Sequence, residues 1–234
     1  MLSMMDSSED QLQLNEKLGQ ITADYLASIL TIDMKVGVAW GRVLSSTINH
    51  LHDIPPLDVV QLSGVHPKIE FNQDLIDLIH KMAAISQGKA HPIYLPMWVE
   101  NEELKSQLIS DTYITEACSL YSKLDIILTG IGSWESGASS LFNIFPEEWK
   151  NELIHKDVCA DVCISLLDSQ GNILNNPIDN LGFGITSEQL KEAKNVIGIA
   201  GGKEKYEAIS AALKSGLLST LITDFNTAIK LLNE

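Results

Sequence analysis

Short apolar segments and segments of helical periodicity alternate along nearly the whole chain, and this alternation constrains the fold more than any other feature. The segments MKVGVAW (34–40), LDVVQLSG (57–64) and DIILTGIGS (125–133) have the length and composition of buried strands. Helical segments lie between them, such as NQDLIDLIHKMAAIS (72–86), for which Asn72 is a plausible N-cap. Such alternation predicts an α/β fold with a mostly parallel sheet and helices on both faces.

The rest of the chain follows the same pattern with one exception. The first helix is predicted in QLQLNEKLGQITADYLASIL, and HPIYLP (91–96) is predicted as a short strand. Near the C-terminus, strands NVIGIAGG and LSTLITD alternate with helices SEQLKEAK, KEKYEAISAALKSG and FNTAIKLLNE, and Gly216 stands at a helix C′ position. The exception is CADVCISLLDSQGNIL (159–174), which predicts an antiparallel hairpin with its turn at 168–171.

Length and charge limit the possible functions. The 234 residues suit one domain over 14–234, preceded by a linker or disordered lead at 1–13. With 31 acidic and 16 basic residues, the net charge of −15 disfavours nucleic-acid binding by this chain. A small anion must therefore be held by a local pocket.

Composition also indicates the compartment. The three cysteines do not form a disulfide framework, and they are predicted to be buried small hydrophobic residues in a reducing compartment. The chain shows neither a signal peptide nor an apolar run long enough to span a bilayer, which predicts a cytoplasmic protein.

Glycines follow four of the predicted strands. They occur in Trp40-Gly41-Arg42, Ser63-Gly64, Thr129-Gly130-Ile131-Gly132-Ser133 and Gly201-Gly202-Lys203. Because parallel strands end at the same edge of a sheet, these loops predict a shared ligand cleft there, although each glycine alone also fits a simple turn.

Standard catalytic and nucleotide motifs are missing. GIAGGKEK is not a P-loop, TGIGSWESG is not G-x-G-x-x-G, and there is neither H-E-x-x-H nor G-x-S-x-G, so no metal, cofactor or catalytic set is predicted. Asp161 and Asp168 are either paired carboxylates or, as their spacing favours, one buried hydrogen-bonding aspartate and one turn aspartate.

The stretch AGGKEK (200–205) combines two glycines with two lysines at the start of a helix. Lysine is unfavourable in a first turn, by roughly 0.3–1 kcal/mol each, because the helix dipole is positive there. The sequence therefore favours an anion site, with helix N–H groups bared by the glycines, Lys205 turned inward and Lys203 solvated.

Taken together, these segments resemble the effector-binding domain of SorC-family bacterial transcriptional regulators. The matching pieces are LGQITADYLASIL, VGVAWGRVL, VVQLSG with FNQDLI, HPIYLP with LISD, DIILTGIGS, ADVCISLLDSQGN, and LGFGIT through LITDFNTA. They cover the chain from about Leu14 to Leu232, and the final piece is the most specific.

The resemblance implies a Rossmann-like sheet similar to ribose-5-phosphate isomerase and glucosamine-6-phosphate deaminase. It also implies a sugar or sugar phosphate bound at the carboxyl ends of the strands. The first loop, Gly41-Arg42-Val43, would cradle a phosphate, and Lys205 would contact it. The full set of implied ligand-binding residues is Gly41, Arg42, Ser63, Gly64, Gln73, Gly130, Gly132, Asp168 and Lys205.

Three positions depart from the family pattern. Relatives usually carry threonine at Val43, arginine at Asn180 and glutamate at Phe225, so the phosphate site is altered and Arg42 is expected to supply a charge-assisted contact instead. Family members also begin with a helix-turn-helix domain that this chain does not include, so the chain is either an excised sensor domain or a protein without DNA binding.

Three functions stay open on the sequence. The first is a ligand sensor that works as a homodimer or homotetramer and meets DNA only through a helix-turn-helix domain outside this chain. The second is a sugar-phosphate isomerase or lyase that uses Lys205 on the same fold. The third is an interaction domain with an empty cleft.

Overall fold

The computed structural model describes residues 11–69, 75–135 and 137–233. The strands are β1 Lys35–Val38, β2 Asp58–Gln61, β3 Lys89–His91, β4 Ile126–Ser133, β5 Val158–Val162, β6 Ser165–Asp168, β7 Ile173–Leu174, β8 Val196–Ile199 and β9 Thr220–Ile222. The helices are α1 Gln11–Ile29, α2 Arg42–His50, α3 Leu75–Ser86, α4 Glu102–Ile109, α5 Thr112–Ser119, α6 Ser140–Ile144, α7 Glu147–Leu153, α8 Pro177–Leu181, α9 Ser187–Glu192, α10 Tyr206–Lys214 and α11 Phe225–Leu232.

A parallel sheet with the strand order β3-β2-β1-β4-β8-β9 forms the centre of the fold. Along the chain, strands β1, β2 and β3 are added outward on one side of the sheet, and strands β4, β8 and β9 are added outward on the other side. The direction in which strands are added therefore reverses between β1 and β4. Because parallel crossovers are right-handed, this reversal puts α2 and α3 on one face of the sheet and α10 on the other. The predicted α/β class and mostly parallel sheet are confirmed.

The central strands are buried on both faces, as their continuous apolar sequences predict. Val36 and Val38 of β1 and Ile127 and Leu128 of β4 are fully buried. Helix α1 contributes Leu14, Leu18 and Leu26 to the same core and packs against α2. Among the described residues, none of the helices has the length and apolar character needed to cross a membrane.

The long strand β4 joins the parallel sheet to an antiparallel extension. Its first half pairs in parallel with β1 and β8, while Ile131, Gly132 and Ser133 pair in antiparallel fashion with β5. The order β4-β5-β6-β7 then continues the extension.

The predicted single hairpin at 159–174 is corrected by the structure to three strands with two turns. The extra turn lies at Cys163 and Ile164, between the paired residues Val162 and Ser165. Cys163 has φ 53°, a left-handed conformation that glycine or asparagine usually supplies, so the sequence carries no turn signal there. The second turn, at Gly171 with φ 82°, is the predicted one.

Element boundaries differ from the prediction in three further places. Helix α1 begins at Gln11, so residues 11–13 of the predicted lead are helical, while residues 1–10 and the predicted cap Asn72 lie outside the described residues. Strand β3 ends at His91 because Pro92 has no N–H to continue the ladder. A short 3₁₀ turn, Lys203–Lys205, precedes α10. Gly216, with φ 71°, follows α10 as predicted.

Candidate functional site

A cleft opens where the strand order reverses, at the carboxyl ends of β1 and β4. It is lined by α1, the loop from β1 into α2, the end of β4, residues 137–140, β5 and the turn after β8. Its cavity volume is about 110 Å³. One ordered water needs roughly 10–15 Å³ on this scale, so the cleft holds several waters or one small polar ligand.

The first loop presents a helix N-terminus to this cleft. Gly41 precedes α2 with φ 141°, and a side chain added there would meet no atom within 4 Å. Arg42, the first residue of α2, is exposed and lines the cleft. Val43 is buried in the core. The open backbone, the helix dipole and the guanidinium together favour an anion at this point.

Lys205, at the end of the turn after β8, also lines the cleft. Its Nζ donates a hydrogen bond of 2.6 Å to the carbonyl oxygen of Ile131 on β4. Burial lowers the pKa of the Lys205 ammonium, the charge of Asp161 opposes this, and the charge of Arg42 adds to it. Lys203, two residues earlier, is exposed. The inward and outward orientations of the two lysines are those that the sequence predicts.

The glycine pair before these lysines has a structural explanation. The N–H of Gly202 donates to Asp224 Oδ2 at 2.7 Å, so it is not bared for an anion as the sequence interpretation requires. A Cβ on Gly201 would lie 2.7 Å from the same oxygen, and Gly202 has φ 101°. Close packing against Asp224 and a left-handed backbone require these glycines, and that part of the interpretation is wrong.

Asp161 on β5 is the buried acidic group of the cleft. It is 6% exposed, and its Oδ1 accepts a hydrogen bond from Ser139. Among the described residues, no donor reaches its Oδ2. Burial raises the pKa of the carboxyl to about 6, although the Ser139 hydrogen bond and the Lys205 charge both lower it.

The glycines of β4 make room on this side of the cleft in different ways. A Cβ on Gly132 would overlap the Asp161 carboxylate, so the glycine allows the carboxylate to lie beneath the strand. A Cβ on Gly130 would have only the carbonyl oxygen of Trp40 nearby, at 3.9 Å, so this position is open to a ligand. Both glycines line the cleft.

The second loop does not join the cleft in this structure. Ser63 is fully buried and its hydroxyl donates to the carbonyl oxygen of Gly64 at 3.0 Å. A Cβ on Gly64 would overlap the carbonyl group of Pro96, so tight backbone packing explains this glycine. Gln73, the third residue implied for this loop, lies outside the described residues.

Asp168 is also away from the cleft, at the end of β6. Its carboxylate accepts hydrogen bonds from the N–H groups of Gln170 and Asn172, at 2.9 and 2.8 Å, and from the Asn172 side chain at 2.9 Å. The Asn172 side chain is the main cause that lowers the pKa of Asp168. Asp168 is therefore the turn aspartate and Asp161 is the buried one. The family resemblance implied that Asp168 binds the ligand, but in this structure its carboxylate is bonded within the turn.

The sequence gives no signal for several other polar residues that line the cleft. Gln11 and Asn15 reach it from α1, where Gln11 Nε2 donates to the carbonyl oxygen of Gly201 at 3.3 Å. Ser140 adds a hydroxyl group. The helical pattern of α1 does not show that the start of this helix lies beside the turn after β8, so only the tertiary structure identifies Gln11 and Asn15 as cleft residues.

The chemistry of the cleft suits a small anion that also carries hydroxyl groups. Two cations and a helix N-terminus can bind the anionic part, and the Asp161 carboxylate can accept a hydroxyl donor. Within the described part of the chain, no three His, Cys, Asp or Glu side chains come together as they do around a metal ion.

Comparison with known proteins gives a consistent result. Residues 4–233 match the sequence family described as "Putative sugar-binding domain". The chain is 26% identical over 229 residues to the deoxyribonucleoside regulator of Bacillus subtilis, covering 96% of this chain and 72% of that protein. The same identity and coverage hold for the sorbitol operon regulator of Klebsiella pneumoniae. The crystal structure of full-length SorC from Klebsiella pneumoniae has the same fold, with a TM-score of 0.91 and 24% identity over 99% of this chain and 75% of that one.

Proposed function

The chain belongs to the family of sugar-binding domains of SorC-type transcriptional regulators, and on this premise we propose that it is an effector sensor whose ligand is a sugar phosphate. The observation that carries the proposal is that two cations, Arg42 and Lys205, line the cleft at the strand reversal. A net charge of −15 opposes anion binding elsewhere on the surface, so this local positive site is the place for a phosphate.

The phosphate lies between Arg42, the N-terminus of α2 and Lys205. Each cation contributes about 1.5–3 kcal/mol through a charge-assisted hydrogen bond. The sugar then extends along β4, over Gly130, toward Asp161. A ligand hydroxyl donates to Asp161 Oδ2, the carboxylate oxygen that has no protein donor among the described residues.

Binding changes the arrangement of subunits and thereby the affinity for DNA. The relatives named above are regulators, and two-fold symmetry is what a palindromic operator requires of such a protein. DNA contacts are made by a helix-turn-helix domain outside this chain, and the protein acts in the cytoplasm. Light scattering of the chain, with and without a sugar phosphate, tests this step: a dimer or tetramer supports it, and a monomer under both conditions contradicts it.

The ligand site is tested with variants of two lysines in the same turn. Titration calorimetry with a panel of pentose and hexose phosphates at pH 7.5 identifies the ligand. We expect Lys205→Ala to weaken its binding by about tenfold or more, corresponding to about 1.5–3 kcal/mol, and Lys203→Ala to leave it unchanged. Arg42→Ala should weaken binding by a similar factor. Equal affinity in the wild type, Lys205→Ala and Arg42→Ala would place the anion elsewhere.

One observation favours a second function, a sugar-phosphate isomerase or lyase. Lys205 and Asp161 face the same cleft, burial lowers the pKa of the first and burial raises the pKa of the second to about 6. Pairs with such opposed shifts also occur at catalytic sites. Incubation of the protein with the sugar phosphate that binds, followed by product analysis, separates the two functions: turnover that Asp161→Asn abolishes supports the enzyme.

A further inference from the structure

Asp161 has an environment that a purely structural aspartate does not need. Only 6% of the residue is exposed, yet it lines the ligand cleft. One carboxylate oxygen is bonded to Ser139 and the other has no donor among the described residues. The nearest cation, Lys205, directs its Nζ to the carbonyl oxygen of Ile131. The carboxylate is therefore buried without a bonded counter-ion, which is an expensive arrangement for a charge.

An anion bound at Lys205 also lies near this carboxylate, because the Lys205 ammonium interacts electrostatically with both Asp161 and Arg42. If the ligand carries a hydroxyl group within reach, that group donates to Oδ2 and stabilises the charged carboxylate. If the ligand is a bare anion without a donor, it adds negative charge beside a group that is already poorly solvated. Like charges at short range favour the neutral, protonated form of a carboxyl.

We propose that Asp161 determines ligand specificity by excluding bare inorganic anions at neutral pH, because such an anion binds only together with a proton on the Asp161 carboxyl. The proton comes from solvent and adds to the unbonded oxygen. The inference rests on the proposed anion site, and it gives that site a means of separating hydroxylated phosphates from sulfate or other free anions. The pKa of the carboxyl, raised by burial to about 6, places the proton uptake in an accessible pH range.

Other charged groups also lie around Asp161. Lys205 and Arg42 line the same cleft, and burial lowers the pKa of the Lys205 ammonium while the charge of Asp161 opposes this. Glu204 also lines the cleft, but it is exposed on the 3₁₀ turn. Burial raises the pKa of the Cys163 thiol to about 12, so it stays neutral. Asp161 is therefore the buried carboxyl of this set.

The test measures sodium sulfate binding, by its effect on the melting temperature at several concentrations, against sodium chloride of equal ionic strength. Sulfate does not titrate between pH 5 and pH 7.5, so any pH dependence comes from the protein. We expect the wild type to bind sulfate about tenfold or more tightly at pH 5 than at pH 7.5, because the Asp161 pKa of about 6 lies between these values and binding coupled to one proton weakens about tenfold for each pH unit above that pKa. Asp161→Asn should bind sulfate at pH 7.5 as tightly as the wild type does at pH 5. Asp168→Asn, which removes one charge outside the cleft, should behave as the wild type.

Each result has a definite meaning. The specificity proposal is overturned, and the anion site is still supported, in either of two cases. In the first, sulfate binding depends on Lys205 but not on pH. In the second, Asp161→Asn keeps the pH dependence of the wild type. Sulfate binding that Lys205→Ala does not weaken, or no binding at any pH, overturns both proposals. If Asp161→Asn fails to fold, Ser139→Ala gives the answer: loss of the hydrogen bond that lowers the pKa should move the pH midpoint of sulfate binding upward, and an unchanged midpoint contradicts the proposal.

Discussion

Asp161→Asn should stabilise the free protein at neutral pH, although the residue is fully inside the fold. Burial raises the pKa of its carboxyl from 3.8 to about 6, which corresponds to about 3 kcal/mol. Because the folded pKa lies above the unfolded pKa, the folded state binds the proton more tightly. The stabilising effect of protonation is complete below pH 3.8 and is lost as the pH rises through 6.

The magnitude depends on pH in a way that separates charge from packing. By linkage, the buried carboxylate lowers the free energy of unfolding by about 3 kcal/mol at pH 7.5 and by about 1.5 kcal/mol at pH 5. Asparagine keeps an oxygen for Ser139 but adds an unpaired amide, whose penalty of about 1–3 kcal/mol does not change with pH. The stabilisation by Asp161→Asn, relative to the wild type, should therefore be larger at pH 7.5 than at pH 5 by about 1.5 kcal/mol, whatever the amide costs.

Urea unfolding of the wild type and the variant at both pH values measures this difference directly. Asp168→Asn is the matched control, because hydrogen bonds from Asn172 lower the pKa of that carboxyl and its charge stabilises the fold. We expect Asp168→Asn to be less stable than the wild type by a similar amount at pH 7.5 and pH 5, because both values lie above the ordinary pKa of an aspartate. A stability difference between Asp161→Asn and the wild type that is the same at both pH values, or larger at pH 5, would refute the assignment of a buried charge.

Glycine packing and thiol burial give two further predictions. Gly64→Ala should lower the free energy of unfolding in urea by about 1–3 kcal/mol, because the added Cβ would overlap the carbonyl group of Pro96. Gly130→Ala is the control: its Cβ would enter open space, so the same titration should show a change of less than about 0.5 kcal/mol. The thiols should react slowly with a disulfide reagent at pH 8, because burial raises the pKa of Cys163 to about 12 and that of Cys159 to about 11, and raises that of Cys118. Rapid labelling of the folded protein would contradict this, and unfolding in urea should release all three.

The sequence by itself determined the order of strands and helices, the parallel sheet and the edge at which the cleft opens. These features depend on local periodicity and on the shared direction of parallel strands, both of which are written in consecutive residues. The same holds for Gly216 at the end of α10. The positions of Lys203 and Lys205 also follow from the sequence, because two residues of a tight turn face different directions.

Only the tertiary structure decided which of the strand-end residues meet in the cleft. Gly64 and Gly41 look alike in the sequence, yet Gly64 is packed against Pro96 and Gly41 faces open space. Asp161 and Asp168 are also alike locally, and they differ because a left-handed turn at Cys163 folds β6 back on β5. Burial, and with it the pKa of a carboxyl, depends on residues far away in the chain, such as Ser139 and Lys205, so no local pattern in the sequence could have given it.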